Sequence, residues 1–131
     1  MDENERPLID RLREMDAFRG LPDDVLAVLA AHMHERELTP GDLLVQQGGT
    51  GDGFYVMLDG RAKGWLADES GQRRELAEFL PDEIVGEMAL ITGEPRTASV
   101  EITKPSRAAW IEKASFHDLA FRYPELGMVL T

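Results

Sequence analysis

The sequence predicts a mainly β protein with flanking helices, built as an antiparallel β jelly-roll (double-stranded β-helix) barrel. Apolar residues recur at helical spacing in the first third of the chain. Short apolar runs bounded by Gly, Pro and Asp follow over about residues 34–113, and turns at this spacing favour a barrel or jelly roll. Two helical patterns follow over about residues 114–130. We therefore expect a single domain over residues 1–131, because a chain of this length fits one hydrophobic core.

The first third is predicted to be helical over about residues 8–33. Its main apolar stripe lies on one helix face and consists of Val25, Leu26, Val28, Leu29 and Met33. A shorter stripe precedes it and consists of Leu8, Ile9, Leu12 and Met15. Because such stripes need an apolar partner surface, we expect these helices to pack on the β core rather than on each other alone.

The predicted strands between residues 34 and 113 are bounded by turn signals. Asp59-Gly60 is typical of a tight hairpin, so a hairpin is expected there. A second turn is expected at Lys104-Pro105-Ser106, between two short apolar runs. A short helical turn over 87–91 interrupts the strands, and the last two helices are expected to separate at Tyr123-Pro124, because proline disfavours continued helix.

The formal net charge of −11 argues against nucleic-acid binding by this chain, because neutralising phosphates requires clustered Lys and Arg. No apolar run is long enough to span a bilayer, so membrane insertion is not expected. Cysteine is absent, which excludes disulfides and thiol chemistry. The first five residues are acidic rather than basic and apolar, so we expect no signal peptide and a cytoplasmic setting.

The segment from Gly86 to Val100 carries most of the chemical information. Glu87 follows a glycine at the start of the short helical turn, and Arg96 follows nine residues later. The start of a helix presents free N–H groups and favours negative charge, and an arginine fork can bind a phosphate. Glu87 is suited to accept hydrogen bonds from a sugar hydroxyl beside that anion. The pattern therefore favours a small ligand with hydroxyls and an anion, and a cyclic ribose phosphate carries both.

This segment resembles the phosphate-binding cassette of cyclic-nucleotide-binding domains, the sensory modules of cAMP- and cGMP-dependent kinases, gated channels and catabolite activators. The likeness covers roughly residues 8–126, in the family's order. The segments that carry it are Ala17–Pro22, Leu38–Asp42, Gly51–Gly60, Gly86–Leu90 and Pro95–Val100. Five ordered segments are far more specific than a lone G-E-x-A-L.

The resemblance implies a non-enzymatic sensory domain that binds a cyclic 3′,5′-nucleotide, with cAMP favoured and cGMP a competitor. It implies ligand-binding roles for Gly86, Glu87, Met88, Ala89, Leu90, Arg96, Thr97, Ala98 and Val100. Gly86 is expected to allow close approach of the ligand to the backbone. No metal or cofactor is expected, the signal would pass to an effector or partner protein outside this chain, and a homodimer stays open. Family members have a longer final helix than the pattern begun at Glu125, so we expect an isolated sensor module or a fragment.

Two other functions compete with nucleotide binding as interpretations of the sequence. Asp82 stands where the family usually has glycine, and Val85 where it has an aromatic residue. An interaction module of the same fold that no longer binds nucleotide therefore stays open. A cupin-type metalloenzyme is disfavoured, because His32 and His34 are expected before the β region and His117 after it.

Alternative interpretations also exist for three individual features of the sequence. The glycine-rich run Gly48–Gly53 lacks the Lys-Ser/Thr ending of a phosphate loop, so a loop between strands is expected. The side chains of Met88, Ala89, Leu90 and Ile91 are expected in the core, whatever their backbones donate. Val100 fits a base contact and a core position equally well.

Overall fold

The computed structural model describes residues 7–130; residues 1–6 and Thr131, which the predicted domain includes, lie outside the described residues. The helices are α1 (Leu8–Glu14), α2 (Asp23–Ala31), α3 (Glu87–Thr92) and α4 (Lys113–Arg122), with 3₁₀ turns at Asp16–Phe18 and Pro124–Leu130. The strands are β1 (His34–Leu38), β2 (Leu43–Val45), β3 (Gly53–Ala67), β4 (Arg73–Phe79), β5 (Ile84–Val85) and β6 (Ser99–Glu112). Among the described residues, no helix is long and apolar enough to cross a membrane.

All strand pairs are antiparallel, as predicted. The strand order is β1-β6-β3-β4, while β2 pairs with β6 and β5 pairs with β3. The two long strands β3 and β6 lie at the centre and pair along most of their length. They therefore form the frame on which the shorter strands and the helices are placed.

The two faces of β3 serve two different cores. Because successive strand residues point to opposite faces, Phe54 and Val56 pack with the helices, while Tyr55 and Met57 face the interior of the β roll. The helical cluster includes residues of α1, α2 and α4. The helices thus pack on the β roll, as the apolar stripes predicted.

The predicted hairpin at Asp59-Gly60 is wrong, because β3 continues through it. The register of β3 against β6 shifts on both sides of this dipeptide, so it forms a bulge. Gly60 adopts a φ of 94°, and a Cβ there would lie 2.0 Å from the Ser106 Oγ. Ser106 Oγ in turn accepts a hydrogen bond from the Arg61 N–H at 3.1 Å and donates to Lys104 O at 2.6 Å. The glycine therefore serves the bulge and its serine partner rather than a chain reversal.

The predicted turn at Lys104-Pro105-Ser106 is wrong for the same reason. These residues lie within β6, opposite the irregular part of β3. Lys104 still pairs with Arg61, and Arg107 with Asp59. Gly60 and Pro105 therefore lie at irregular positions within the continuous strands β3 and β6. Sequence alone does not distinguish such a bulge from a turn.

Candidate functional site

A pocket of about 170 Å³ opens between the start of α3 and the start of β6. It is lined by Val45, Phe79, Gly86, Glu87, Met88, Ala89, Arg96, Thr97, Ala98 and Val100. The structure thus brings together eight of the nine residues predicted to bind ligand. Three strand ends and one helix start meet here, so the pocket depends on the whole β roll rather than on the motif alone.

Arg96 is the central cation of this pocket. It is only 9% exposed, and its Nη1 donates to Gly86 O at 2.9 Å while its Nη2 donates to Gly53 O at 3.0 Å. No ion pair is recorded for Arg96 within residues 7–130. Carbonyl groups fix the guanidinium in place without neutralising it, so its charge is available to an anion.

Burial lowers the pKa of the Arg96 guanidinium from its ordinary value. The carboxylates of Asp52 and Glu87 act in the opposite direction, because their negative charge favours the charged guanidinium. Because the pKa is lowered overall, these carboxylates offset the effect of burial only in part. A desolvated arginine gains more from an incoming anion than a solvated one does.

Gly86 has two structural reasons to be glycine. Its φ of 90° lies in the left-handed region, and a Cβ would lie 2.6 Å from the Arg96 Nη1. Close approach of a ligand stays a prediction for this residue; the left-handed backbone and the packing of Arg96 against it are further reasons for glycine. Gly86 also precedes α3, whose first turn has no side-chain capping hydrogen bond. The first N–H groups of α3 therefore lie beside the pocket without a side-chain acceptor.

Glu87 is half-buried at the first position of α3 and lines the same pocket. It contributes to the Arg96 environment only through distant charge, so its carboxylate is not consumed by an ion pair with Arg96. Thr97 is exposed, Ala98 half-buried and Val100 buried at the pocket wall. The Glu87 carboxylate, the Thr97 hydroxyl and the apolar wall at Val100 thus line the pocket that contains the Arg96 cation.

Leu90 is the predicted ligand-binding residue that does not line the pocket. Its side chain, like that of Ala89, is buried, and it joins the cluster beneath the helices. Met88 and Ile91 were expected in the core, but they are 62% and 48% exposed, so that expectation is wrong. A helix as short as α3 buries only one face, and these two residues lie on the other.

Sequence reasoning missed Val45 and Phe79, which complete the pocket wall. Val45 ends β2, and Phe79 ends β4 opposite Ala62 of β3. Both lie outside the Gly86–Val100 segment, so only the strand pairing brings them to it. Apolar residues at strand ends were a weak signal, because many of them simply fill cores.

A larger groove of about 550 Å³ is lined by residues of β3, β4 and β6, among them Arg61 and Lys63. Both cations are already paired on the surface, Arg61 with Glu78 at 2.7 Å. Lys63 likewise pairs with Glu75 at 2.7 Å. The groove is larger than the Arg96 pocket, but its cations are already paired. Recognition of a small ligand depends on converging polar groups, so the Arg96 pocket is the better candidate site.

The histidines lie apart from the pocket. His32 follows α2, His117 lies in α4, and His34 begins β1 rather than preceding the β region as expected. Within residues 7–130 no group of three or more His, Cys, Asp or Glu is arranged to hold a metal ion.

The family model described as "Cyclic nucleotide-binding domain" matches residues 35–123. The chain is 30% identical over 100 residues to the cAMP-dependent protein kinase type II regulatory subunit of Drosophila melanogaster, covering 76% of this chain and 25% of that protein. It is 28% identical over 107 residues to the potassium channel KOR2 of Oryza sativa subsp. japonica, covering 82% of this chain and 15% of the channel. The chain thus spans a quarter or less of these relatives.

Solved structures show the same fold. The regulatory domain of Toxoplasma gondii PKA with cAMP superimposes with a TM-score of 0.83 at 26% identity, covering 93% of this chain and 45% of that one. The N-terminal domain of a transcriptional regulator from Streptomyces coelicolor A3(2) gives 0.78 at 30% identity, covering 92% and 85%. These similarities confirm the predicted jelly-roll fold and the resemblance to cyclic-nucleotide-binding domains.

Proposed function

The chain belongs to the cyclic nucleotide-binding domain family, and we propose that it binds a cyclic 3′,5′-nucleotide in the Arg96 pocket as a non-enzymatic sensory domain. The observation that carries this proposal is the buried guanidinium of Arg96, oriented by two carbonyl groups and without an ion pair to any residue of 7–130. A cyclic phosphodiester supplies the missing negative charge. The first N–H groups of α3 add donors beside it.

The pocket also supports the orientation of the ligand. Glu87 would accept a hydrogen bond from the ribose 2′-hydroxyl, since a carboxylate beside a phosphate needs a donor as its partner. The volume of about 170 Å³ is below the 300–1,000 Å³ typical of whole small-molecule sites. The pocket therefore suits the ribose phosphate, with the base at its mouth against Phe79 and Met88.

We propose cAMP as the favoured ligand and cGMP as a competitor. Two of the similar solved or curated proteins carry cAMP in their names, the Toxoplasma gondii regulatory domain and the Drosophila melanogaster regulatory subunit. Thr97 is exposed at the pocket and can serve either the phosphate or a guanine amino group. Binding would shift the arrangement of the terminal helices, and an effector outside the described chain would detect that shift.

Calorimetry with cAMP, cGMP and 5′-AMP tests the proposal on the full chain. We expect saturable binding of the cyclic nucleotides and much weaker binding of 5′-AMP, whose extra charge and open phosphate fit the pocket less well. Binding of none of them would favour an interaction module that has lost nucleotide binding. Elemental analysis of the same sample tests the cupin alternative, since a stoichiometric transition metal would contradict the proposal. Homodimerisation and a cytoplasmic location stay predictions; sedimentation analysis checks the first.

A further inference from the structure

The glycine-rich run Gly48–Gly53 comprises part of the loop between β2 and β3, as expected, and the first residue of β3, and it has a further role. Its glycines provide three of the hydrogen bonds recorded for Arg96. Gly48 N–H donates to Arg96 O at 2.7 Å, and Arg96 N–H donates to Gly49 O at 2.8 Å. Gly53 O accepts from the guanidinium at 3.0 Å. The loop therefore holds the main chain and the side chain of Arg96 at once.

The same loop packs directly against α3. A Cβ on Gly51 would lie 2.8 Å from the Cβ of Ala89, closer than real Cβ contacts allow. Ala89 is a buried residue of α3 that also lines the pocket. A displacement of this loop would therefore move two walls of the pocket, the arginine and the helix.

Gln47 fastens this loop to the β roll at the residue before the run. Its backbone N–H donates to Ser99 Oγ at 2.9 Å. Its side-chain Oε1 accepts from Ala67 N–H at 2.9 Å, and its Nε2 donates to Ala67 O at 3.3 Å. The amide side chain thus pairs with the end of β3 as a neighbouring strand would, while Ser99, which is 1% exposed, holds its backbone.

We propose that Gln47 is a positioning residue for Arg96, acting through the Gly48–Gly49 backbone, with Ser99 as its support. The inference rests on the proposed function where it concerns ligand affinity. Gln47 touches no ligand in this scheme; it fixes the loop that fixes the arginine. The chain offers a matched control in Gln46, an exposed neighbour of the same type whose side chain forms no hydrogen bond with any residue of 7–130.

The first experiment uses the ligand-free protein, so it does not depend on the proposed function. Amide hydrogen exchange of Arg96 is measured by NMR in the parent and in the variants Gln47→Ala and Gln46→Ala. We expect about tenfold faster exchange at Arg96 in Gln47→Ala, because a restrained amide opens more often, and no change in Gln46→Ala. The Val56 amide in the core reports global opening and should be unchanged. Unchanged Arg96 exchange in Gln47→Ala overturns the proposal.

The second experiment measures cAMP affinity in a double-mutant cycle. Gln47→Ala should weaken binding about fivefold in the parent and have little effect in an Arg96→Lys background, which lacks the guanidinium fork. An equal loss in both backgrounds would show that Gln47 acts independently of Arg96 and would contradict the proposal. If Gln47→Ala does not fold, Ser99→Ala removes the other support and should give the same pattern. Absence of any cAMP binding by the parent would contradict the proposed function alone, since the exchange result stands separately.

Discussion

Arg96 carries its positive charge where burial opposes it. The guanidinium is held by Gly86 O and Gly53 O, and both partners are neutral. In a chain of net charge −11, a buried arginine that forms no ion pair with any described residue is unusual. The arrangement is costly in the unliganded protein and favourable once an anion arrives, which is the energetic pattern of an anion receptor.

The variant Arg96→Ala is therefore expected to lose about 2–5 kcal/mol of cyclic-nucleotide binding energy, because the phosphate is left unpaired in a desolvated pocket. Calorimetry with cAMP measures the loss. Arg19→Ala is a suitable control, because Arg19 is exposed and pairs with Asp16 on the surface at 2.8 Å. Affinity within threefold of the parent in Arg96→Ala would remove Arg96 from the site.

A 2′-deoxy cyclic nucleotide is expected to bind about 1–3 kcal/mol more weakly than its parent ligand, because the Glu87 carboxylate loses its donor. In Glu87→Gln the difference between the two ligands should shrink. Glu69→Gln serves as the control, since Glu69 is exposed in the turn between β3 and β4 and does not line the Arg96 pocket. Competition titrations provide the measurement. Equal affinities for both ligands in the unmodified protein would refute the ribose contact.

The variant Thr97→Ala separates two roles for its hydroxyl. We expect cAMP and cGMP to weaken alike, by about 0.5–1.5 kcal/mol, because the hydroxyl serves the phosphate that both ligands share. The comparison is made by titrating both nucleotides against parent and variant. A loss confined to cGMP would instead assign the hydroxyl to the guanine amino group and make Thr97 a determinant of base choice.

The residues of the pocket differ in how far the sequence identifies them. Gly86, Glu87 and Arg96 were predicted because their chemistry and spacing already describe an anion site. Phe79 was not, because it reaches the pocket only through the pairing of β4 with β3. The contact between Gly86 and Arg96 was not predicted either, since it is visible only in three dimensions.

At the scale of elements, the sequence located irregularities correctly and misjudged their form. The sequence predicts a hairpin turn at Gly60 and a second turn at Pro105. The structure places both at matching bulges in β3 and β6, joined through Ser106. Turns and bulges use the same residues, so only the long-range pairing distinguishes them.

The turn between β4 and β5 offers a prediction about stability. Asp82 is the one non-glycine residue of the described chain with a positive φ, 77°. Its N–H donates to Met57 O at 2.7 Å, while Met57 N–H donates to Glu83 O at 2.9 Å, so the turn is held in this conformation. The residue stands where the family usually has glycine, and the backbone conformation explains that preference.

We expect Asp82→Gly to raise the free energy of unfolding by about 0.5–1 kcal/mol, because relief of the left-handed conformation outweighs the greater freedom of glycine in the unfolded chain. Urea denaturation measures the change. Asp82→Ala is the control, since alanine removes the same carboxylate but keeps a Cβ, and it should not stabilise. A stabilisation of equal size in both variants would attribute the effect to charge rather than to backbone strain.

At the scale of the whole molecule, two apolar clusters share the strands β3 and β6. The first joins these strands to the helices and includes Leu26 and Leu90; the second fills the β roll and includes Ile102 and Val100. Val100 of the pocket wall belongs to the second cluster, whereas Leu90 belongs to the first and follows the pocket residue Ala89 in α3, so α3 links the pocket to the helical cluster. The sequence predicted the helix-on-sheet arrangement from its apolar stripes but not this division, which depends on the two faces of β3.

Because the clusters share their central strands, we expect one unfolding transition for the whole domain. Leu26→Ala and Ile102→Ala each remove a buried side chain from one cluster and should each lower the free energy of unfolding by about 2–5 kcal/mol. Scanning calorimetry should show a single transition in both variants, and cAMP at 100 times its dissociation constant should stabilise each by about 2.7 kcal/mol. Two separate transitions in Leu26→Ala would mean that the helices unfold independently. If cAMP then stabilised only the transition of the β roll, ligand binding would not be coupled to the helices. A rearrangement of the helices could then not transmit the signal.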